Sequence, residues 1–212
     1  MDVFNADGSW AERSGNGMRA AVAHVSAGKK TRRDWTCECG KEALRGHILS
    51  RKGDTVKVRA EVARPVVLLS RAGEPMQRVA RIMGESVKFF TVDVGNPHAV
   101  ILCSVFPKNW EALGEKLGTH RLFPRGTNVE FVVVRTRRAF DVKVWERGVG
   151  PTGSSGTGAV ACMAVVRALD RVGEGAEARF STQRLQALWQ GSGAMAEVSG
   201  EARLMFTGEA RV

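Results

Sequence analysis

Residues 145–163 read WERGVGPTGSSGTGAVACM, and the fold follows from how this stretch must behave. Gly148, Gly150 and Pro151 keep the backbone out of regular structure. Ser155-Gly156-Thr157-Gly158 then runs into an apolar segment, residues 159–169, of helical length and helix-forming composition. The pattern predicts a helix opened by a glycine-rich turn. Such a terminus presents unpaired backbone N–H groups and the positive end of a helix dipole, which suit a carboxylate, a phosphate or a developing negative charge.

A second copy strengthens the reading. Ser14-Gly15-Asn16-Gly17 precedes another helical segment, residues 18–27, closed by Gly28. The polar residues upstream repeat as well, since Asn5 stands nine positions before Ser14 and Glu146 nine before Ser155. Two matching anion-binding turns in one chain suggest two related half-domains, each sending one helix N-terminus into a shared cleft.

The length of 212 residues allows one or two small domains with a real core, and 43% hydrophobic with 25% charged residues is a globular composition. No apolar run approaches membrane-spanning length, and the first residues lack a basic, apolar leader, so a cytoplasmic protein without a membrane partner is expected. The net charge of +10 raises nucleic acid as a partner. The basic residues are scattered, with clusters at residues 29–33 and 135–138, and no aromatic-interleaved tract, zinc-finger or RNA-recognition pattern occurs, which argues against specific nucleic-acid binding. Cys37, Cys39, Cys103 and Cys162 have no metal-ligand spacing, so no metal is expected, and the last two lie in apolar runs as small core residues. A reducing compartment fits.

Along the chain, residues 44–49 and 55–62 predict a hairpin, and Arg64-Pro65 begins a connection that closes the first half. Residues 71–85 read as a loop with short regular pieces. Strands are expected over 87–94, 98–105, 128–134 and 140–145, and a short helix over 109–116 with Asn109 as its N-cap and Gly118 as its stop. Several short strands fill 178–206. The class is α+β with two principal helices.

Four motifs in order carry a family resemblance: FNADGS with SGNGMR (residues 4–9 and 14–19), GNPH (95–98), GTNV (126–129), and ERGVG through Gly158. The chain resembles the diaminopimelate epimerase family of cofactor-independent amino-acid epimerases along essentially its whole length. The resemblance implies two pseudo-symmetric α+β domains, each a sheet wrapped around a central helix, with the active site between them. The corresponding boundaries are 1–64 for the N-terminal half, incomplete at its start, 65–207 for the C-terminal domain, and 208–212 for a segment returning to the first.

The same resemblance implies interconversion of LL- and meso-diaminopimelate, in lysine and cell-wall precursor synthesis, without a cofactor and in a homodimer. In the family one cysteine thiolate removes the α-proton and a second thiol delivers one to the opposite face. The matching positions are Ser14 and Ser155. His98 and Glu146 would tune those two acid/base positions. Asn5, Gly15, Asn16, Asn96, Asn128, Glu146, Arg147, Gly156 and Thr157 would bind the amino-acid substrate, with Arg147 meeting a carboxylate. A serine hydroxyl is a far poorer acid than a thiol, and a helix dipole contributes only about 0.3–2 kcal/mol, so the two-cysteine mechanism does not transfer directly. Ser14 and Ser155 also suit plain N-caps. The rival readings are a non-catalytic amino-acid-binding or inactive paralogue, and a basic polyanion-binding protein.

Overall fold

The computed structural model describes residues 1–4, 8, 13–29, 31–40 and 42–206. Asn5 and the segment 208–212 lie outside these described residues. Three helices stand in the described chain, α1 (Gly15–Val25), α2 (Trp110–Gly118) and α3 (Gly156–Ala168), against one sheet of thirteen strands.

The first strands are β1 (Asp34–Cys39), β2 (Glu42–Lys52) and β3 (Thr55–Ala63), a meander that curls over α1. On β1, Trp35, Cys37 and Cys39 share one face, and all three belong to or pack against the cluster that Met18 and Val22 of α1 form with Leu44, Ile48 and Val58. Helix α1 is amphipathic and buries only that stripe, its other faces being partly exposed.

The middle strands are β4 (Val66–Val67), β5 (Gln77–Ile82), β6 (Glu85–Asp93), β7 (Pro97–Leu102), β8 (Asn128–Thr136), β9 (Ala139–Glu146) and β10 (Gly150–Thr152). The last three are β11 (Gly175–Arg179), β12 (Arg184–Leu188) and β13 (Ala196–Arg203). The sheet runs β1-β2-β3-β13-β12-β11-β9-β8-β7-β6-β4, with β5 added on β6 and β10 on β9. Pairing is parallel at β7–β8 and β9–β11 and antiparallel elsewhere. The late strand β13 pairs with β3 from one end to the other, and so ties the α1 half to the α3 half.

Helix α3 is apolar on every side, and residues 156–166 are all buried. A helix with no polar face must be surrounded, and Val92, Val100, Val132, Phe140, Val142, Leu185 and Val198 from strands around it supply the wall. A separate core, with Phe89, Phe131, Leu113 and Leu117, lies between α2 and the opposite face of β6–β8. Strand alternation explains the two cores: on β8, Val132 faces α3 while Val129 and Phe131 face α2.

Residues 71–85 differ from the loop expected of them. Strand β5 pairs with β6 through a two-residue turn at Met83 and Gly84, both with positive φ (51° and 85°). That is the geometry such hairpins require, and Met-Gly lacks the Asn-Gly or Asp-Gly signature that would have exposed it in the sequence. Asn109 does occupy the N-cap position of α2, but its side chain makes no capping hydrogen bond, because its backbone (φ −93°, ψ 27°) is not extended.

Candidate active site

The two glycine turns adopt the same local structure. Ser14 is extended (φ −146°, ψ 103°), and its Oγ accepts a hydrogen bond from the Gly17 N–H at 2.9 Å. Ser155 is extended (φ −141°, ψ 126°), and its Oγ accepts from the Gly158 N–H at 3.1 Å. Each serine satisfies a donor that its helix cannot. The two helices meet end to end: a Cβ built on Gly15 would lie 2.9 Å from the Gly156 Cα, and one on Gly156 would lie 2.7 Å from the Gly15 Cα. Only glycine permits this approach. The positive ends of α1 and α3 therefore converge on one place.

A solvent-open cleft of about 670 Å³ lies there. Ser14, Gly15 and Asn16 line it from α1, and Ser155, Gly156 and Thr157 from α3. Asn96, Asn128, Glu146 and Arg147 complete its wall from the strand ends, with Val3, Arg13 and Val149 beside them. The turns thus bring ten of the expected residues to one cavity. Among the described residues of the expected set, His98 is the exception, being fully buried beneath the wall.

Several of these polar groups already have partners. Asn16 accepts from Arg19 Nη2 at 2.8 Å and donates across the cleft to the Ser154 carbonyl at 3.5 Å. Asn128 Oδ1 accepts the Arg147 backbone N–H at 2.9 Å, while its Nδ2 stands 3.5 Å from the Pro97 carbonyl and 3.4 Å from His98 Nε2. Asn128 therefore fixes the loop that carries Arg147 as well as facing the cleft. Arg147 Nη1 donates to the Arg125 carbonyl at 3.3 Å. Asn96 Oδ1 lies 3.0 Å from His98 Nε2, and His98 Nδ1 lies 2.7 Å from Glu130 Oε1.

Burial pushes the Glu146 carboxyl above its ordinary value, a rise that hydrogen bonding from Ser155 partly offsets. Of the cleft wall, it is the carboxyl that hydrogen-bonds Ser155. Arg19, buried on α1 with no carboxylate partner among the described residues, is lowered by desolvation to about 10.

Three residues of this site are absent from the expected set. Arg13 lines the cleft, pairs with Glu42 at 2.6 Å, and packs its stem on Gly95, where a Cβ would come within 2.6 Å of its Nε. Arg19 holds the Asn16 amide, and Glu130 holds His98. A charged residue inside the apolar run NVEFVVV was the one available signal for Glu130, because lone charges are rarely buried without a partner. Arg19 closes the SGNGMR motif, whereas Arg13 carried no comparable signal.

Similarity to known proteins identifies the family. The family model for diaminopimelate epimerase matches residues 90–205. The diaminopimelate epimerase of Carboxydothermus hydrogenoformans is 34% identical over 215 residues, covering 99% of this chain and 77% of that protein. That of Caldanaerobacter subterraneus subsp. tengcongensis is 30% identical over 220 residues, covering 100% of this chain and 80% of the other. The chain belongs to the diaminopimelate epimerase family. Among solved structures, a probable proline racemase from Agrobacterium radiobacter K84 superposes on this epimerase-family chain with a TM-score of 0.74 at 16% identity, over 99% of this chain and 71% of its own. A hydroxyproline epimerase from Agrobacterium vitis gives 0.71 at 17% identity, over 96% and 68%. At such identities the likeness shows the fold, which is that of the epimerase family.

None of the four cysteines lines the cleft of this family member. Cys162 sits in the α3 core, and Cys103 is half-buried against the α2 core. Cys37 packs behind α1, and Cys39 lines a smaller cavity that shares Val3, Arg13, Ser14 and Gly15 with the cleft. Burial raises all four thiols, Cys162 the most. A raised thiol is a poor nucleophile or base near neutrality.

Proposed function

We propose that this chain is a diaminopimelate epimerase-like isomerase that binds an amino acid in the α1–α3 cleft and moves the α-proton without a cofactor. The observation that carries the reading is the meeting of two capped helix N-termini, at Gly15 and Gly156, with Ser14 and Ser155 at corresponding positions of each. The first-turn N–H groups other than the capped Gly17 and Gly158 suit the substrate α-carboxylate, and they stabilise the charge that spreads onto it when the α-proton leaves. Arg147 suits a carboxylate through its guanidinium. Ser14 and Ser155 stand in the two proton-transfer positions, with Glu146, whose carboxyl burial raises above its ordinary value, hydrogen-bonded to Ser155. Diaminopimelate, with a carboxylate and an amine at each end, is the substrate that the family supports.

A second reading is binding without turnover. It is favoured by the state of the two hydroxyls, each of which already accepts a backbone hydrogen bond and neither of which is a strong acid.

Proton NMR of LL-diaminopimelate in D₂O, with the protein and with its Ser14→Cys/Ser155→Cys variant, separates the two. Loss of the α-proton signal with the unaltered protein supports the isomerase. Loss only with the double variant means an intact binding site that lacks its acid/base pair. No loss with either folded protein would remove diaminopimelate as the substrate.

A further inference from the structure

Strand β8 carries a charged residue where its neighbours are apolar. Glu130 is fully buried, on the face it shares with Asn128 and Val132, directed toward α3. Its Oε1 lies 2.7 Å from His98 Nδ1, and a Cβ built on Gly158 would come within 3.0 Å of the same oxygen. The carboxylate therefore rests against the first turn of α3, next to the Ser155 cap, where the helix dipole favours negative charge. Its Oε2 has no hydrogen-bond partner among the described residues.

Packing does not account for this side chain. An apolar residue of similar size would fill the same space without desolvating a charge or leaving an oxygen unpaired. His98 does account for it. Against an ionised carboxylate, which only accepts, this contact requires the hydrogen on Nδ1, and the pair then holds the orientation of the ring. The opposite nitrogen, Nε2, is then held 3.0 Å from Asn96 Oδ1 and 3.4 Å from Asn128 Nδ2, two amides of the cleft wall.

We propose that Glu130 is a positioning residue of this site: by holding His98 through Nδ1 it sets Nε2 against Asn96 and Asn128 and so fixes the wall that the substrate meets. For its effect on turnover the inference rests on the isomerase reading above. For its effect on the His98 ring it does not.

The test uses the full chain with Glu130→Gln, which keeps an acceptor, and Glu130→Leu, which removes it. Ring ¹⁵N correlation spectra, with His98 assigned by its loss in His98→Gln, report which nitrogen carries hydrogen. The unaltered protein and Glu130→Gln should show a protonated Nδ1, and Glu130→Leu a different or averaged ring state. In α-proton exchange, followed in whichever of the unaltered or Ser14→Cys/Ser155→Cys backgrounds is active, Glu130→Leu should lose roughly 10- to 100-fold in kcat with KM within about twofold, and Glu130→Gln should restore most of it. Unchanged His98 signals in Glu130→Leu would overturn the proposal. So would a loss in Glu130→Gln equal to that in Glu130→Leu, with falling Tm in both, which is what a purely structural role gives. A protein without exchange in either background sinks the isomerase reading instead, and the ring spectra then decide this one alone.

Discussion

Gly15 and Gly156 touch backbone to backbone, although 141 positions of sequence separate them. Each would put a Cβ inside 3.0 Å of the other's Cα, and the atoms in the way are main chain rather than the movable end of a side chain. Gly156→Ala or Gly15→Ala must therefore push the two helix N-termini apart. Each should cost about 1–3 kcal/mol in denaturant unfolding and weaken amino-acid binding as well. Gly173, which has nothing within 4 Å of its Cβ position, is the control, and Gly173→Ala should change stability by less than about 0.5 kcal/mol.

The serines have a capping role that does not depend on any chemistry. Ser14→Ala and Ser155→Ala each leave a first-turn N–H unpaired and should each cost about 0.5–2 kcal/mol in thermal or denaturant unfolding. Ser155 is the more buried of the two, and its variant should lie toward the upper end. Equal stability of both variants and the parent would mean that water caps these helices just as well.

Glu146 predicts a pH dependence whose sign follows from burial. Its carboxyl is raised above the ordinary 4.5, so the fold favours the neutral form. That contribution is fully present below the unfolded pKa and is lost as pH rises through the folded one. Stability measured from about pH 4 to neutrality should carry this loss, and Glu146→Gln, which cannot ionise, should gain on the parent as pH rises. A parent-to-variant difference that is flat across the range would show Glu146 to be solvated rather than desolvated.

The thiols should prove bystanders. With Cys162 buried and all four raised by burial, a disulfide reagent at mild pH should leave Cys162 unmodified in the native protein and reach all four cysteines only on unfolding. Alkylation should leave any α-proton exchange by the unaltered chain in place and abolish it in the Ser14→Cys/Ser155→Cys variant. Inactivation of the unaltered chain by alkylation would mean that one of its own thiols takes part.

The contact of Arg13 with Gly95 joins α1 to the turn before His98. Gly95 has φ +90°, and a Cβ there would meet Arg13 Nε at 2.6 Å. Gly95→Ala should therefore combine backbone strain with displacement of Arg13 from its Glu42 pair, a destabilisation of about 1–3 kcal/mol by calorimetry. A double variant with Arg13→Ala should recover only the steric part, because the left-handed backbone remains.

What the sequence determined by itself is what neighbours in the chain decide. The capped starts of α1 and α3 depend on a serine and an N–H three residues on, and the envelopment of α3 follows from its lack of a polar face; both are legible in SGNG and SSGTGAVACM. The family resemblance likewise implied ten residues that the fold gathers round one cleft. Strand β5 was missed because Met-Gly hides a hairpin turn that the cross-strand partner, rather than the turn residues, stabilises. Tertiary structure alone decided the rest. The pairing of β13 with β3, the register that sets His98 opposite Asn128, the burial of Glu130 against His98 and the seating of Arg13 on Gly95 all join residues far apart in the chain. Such contacts have no local periodicity or propensity to announce them. They are fixed when strands pair and cores fill together, and that is a property of the whole packed chain rather than of any stretch within it.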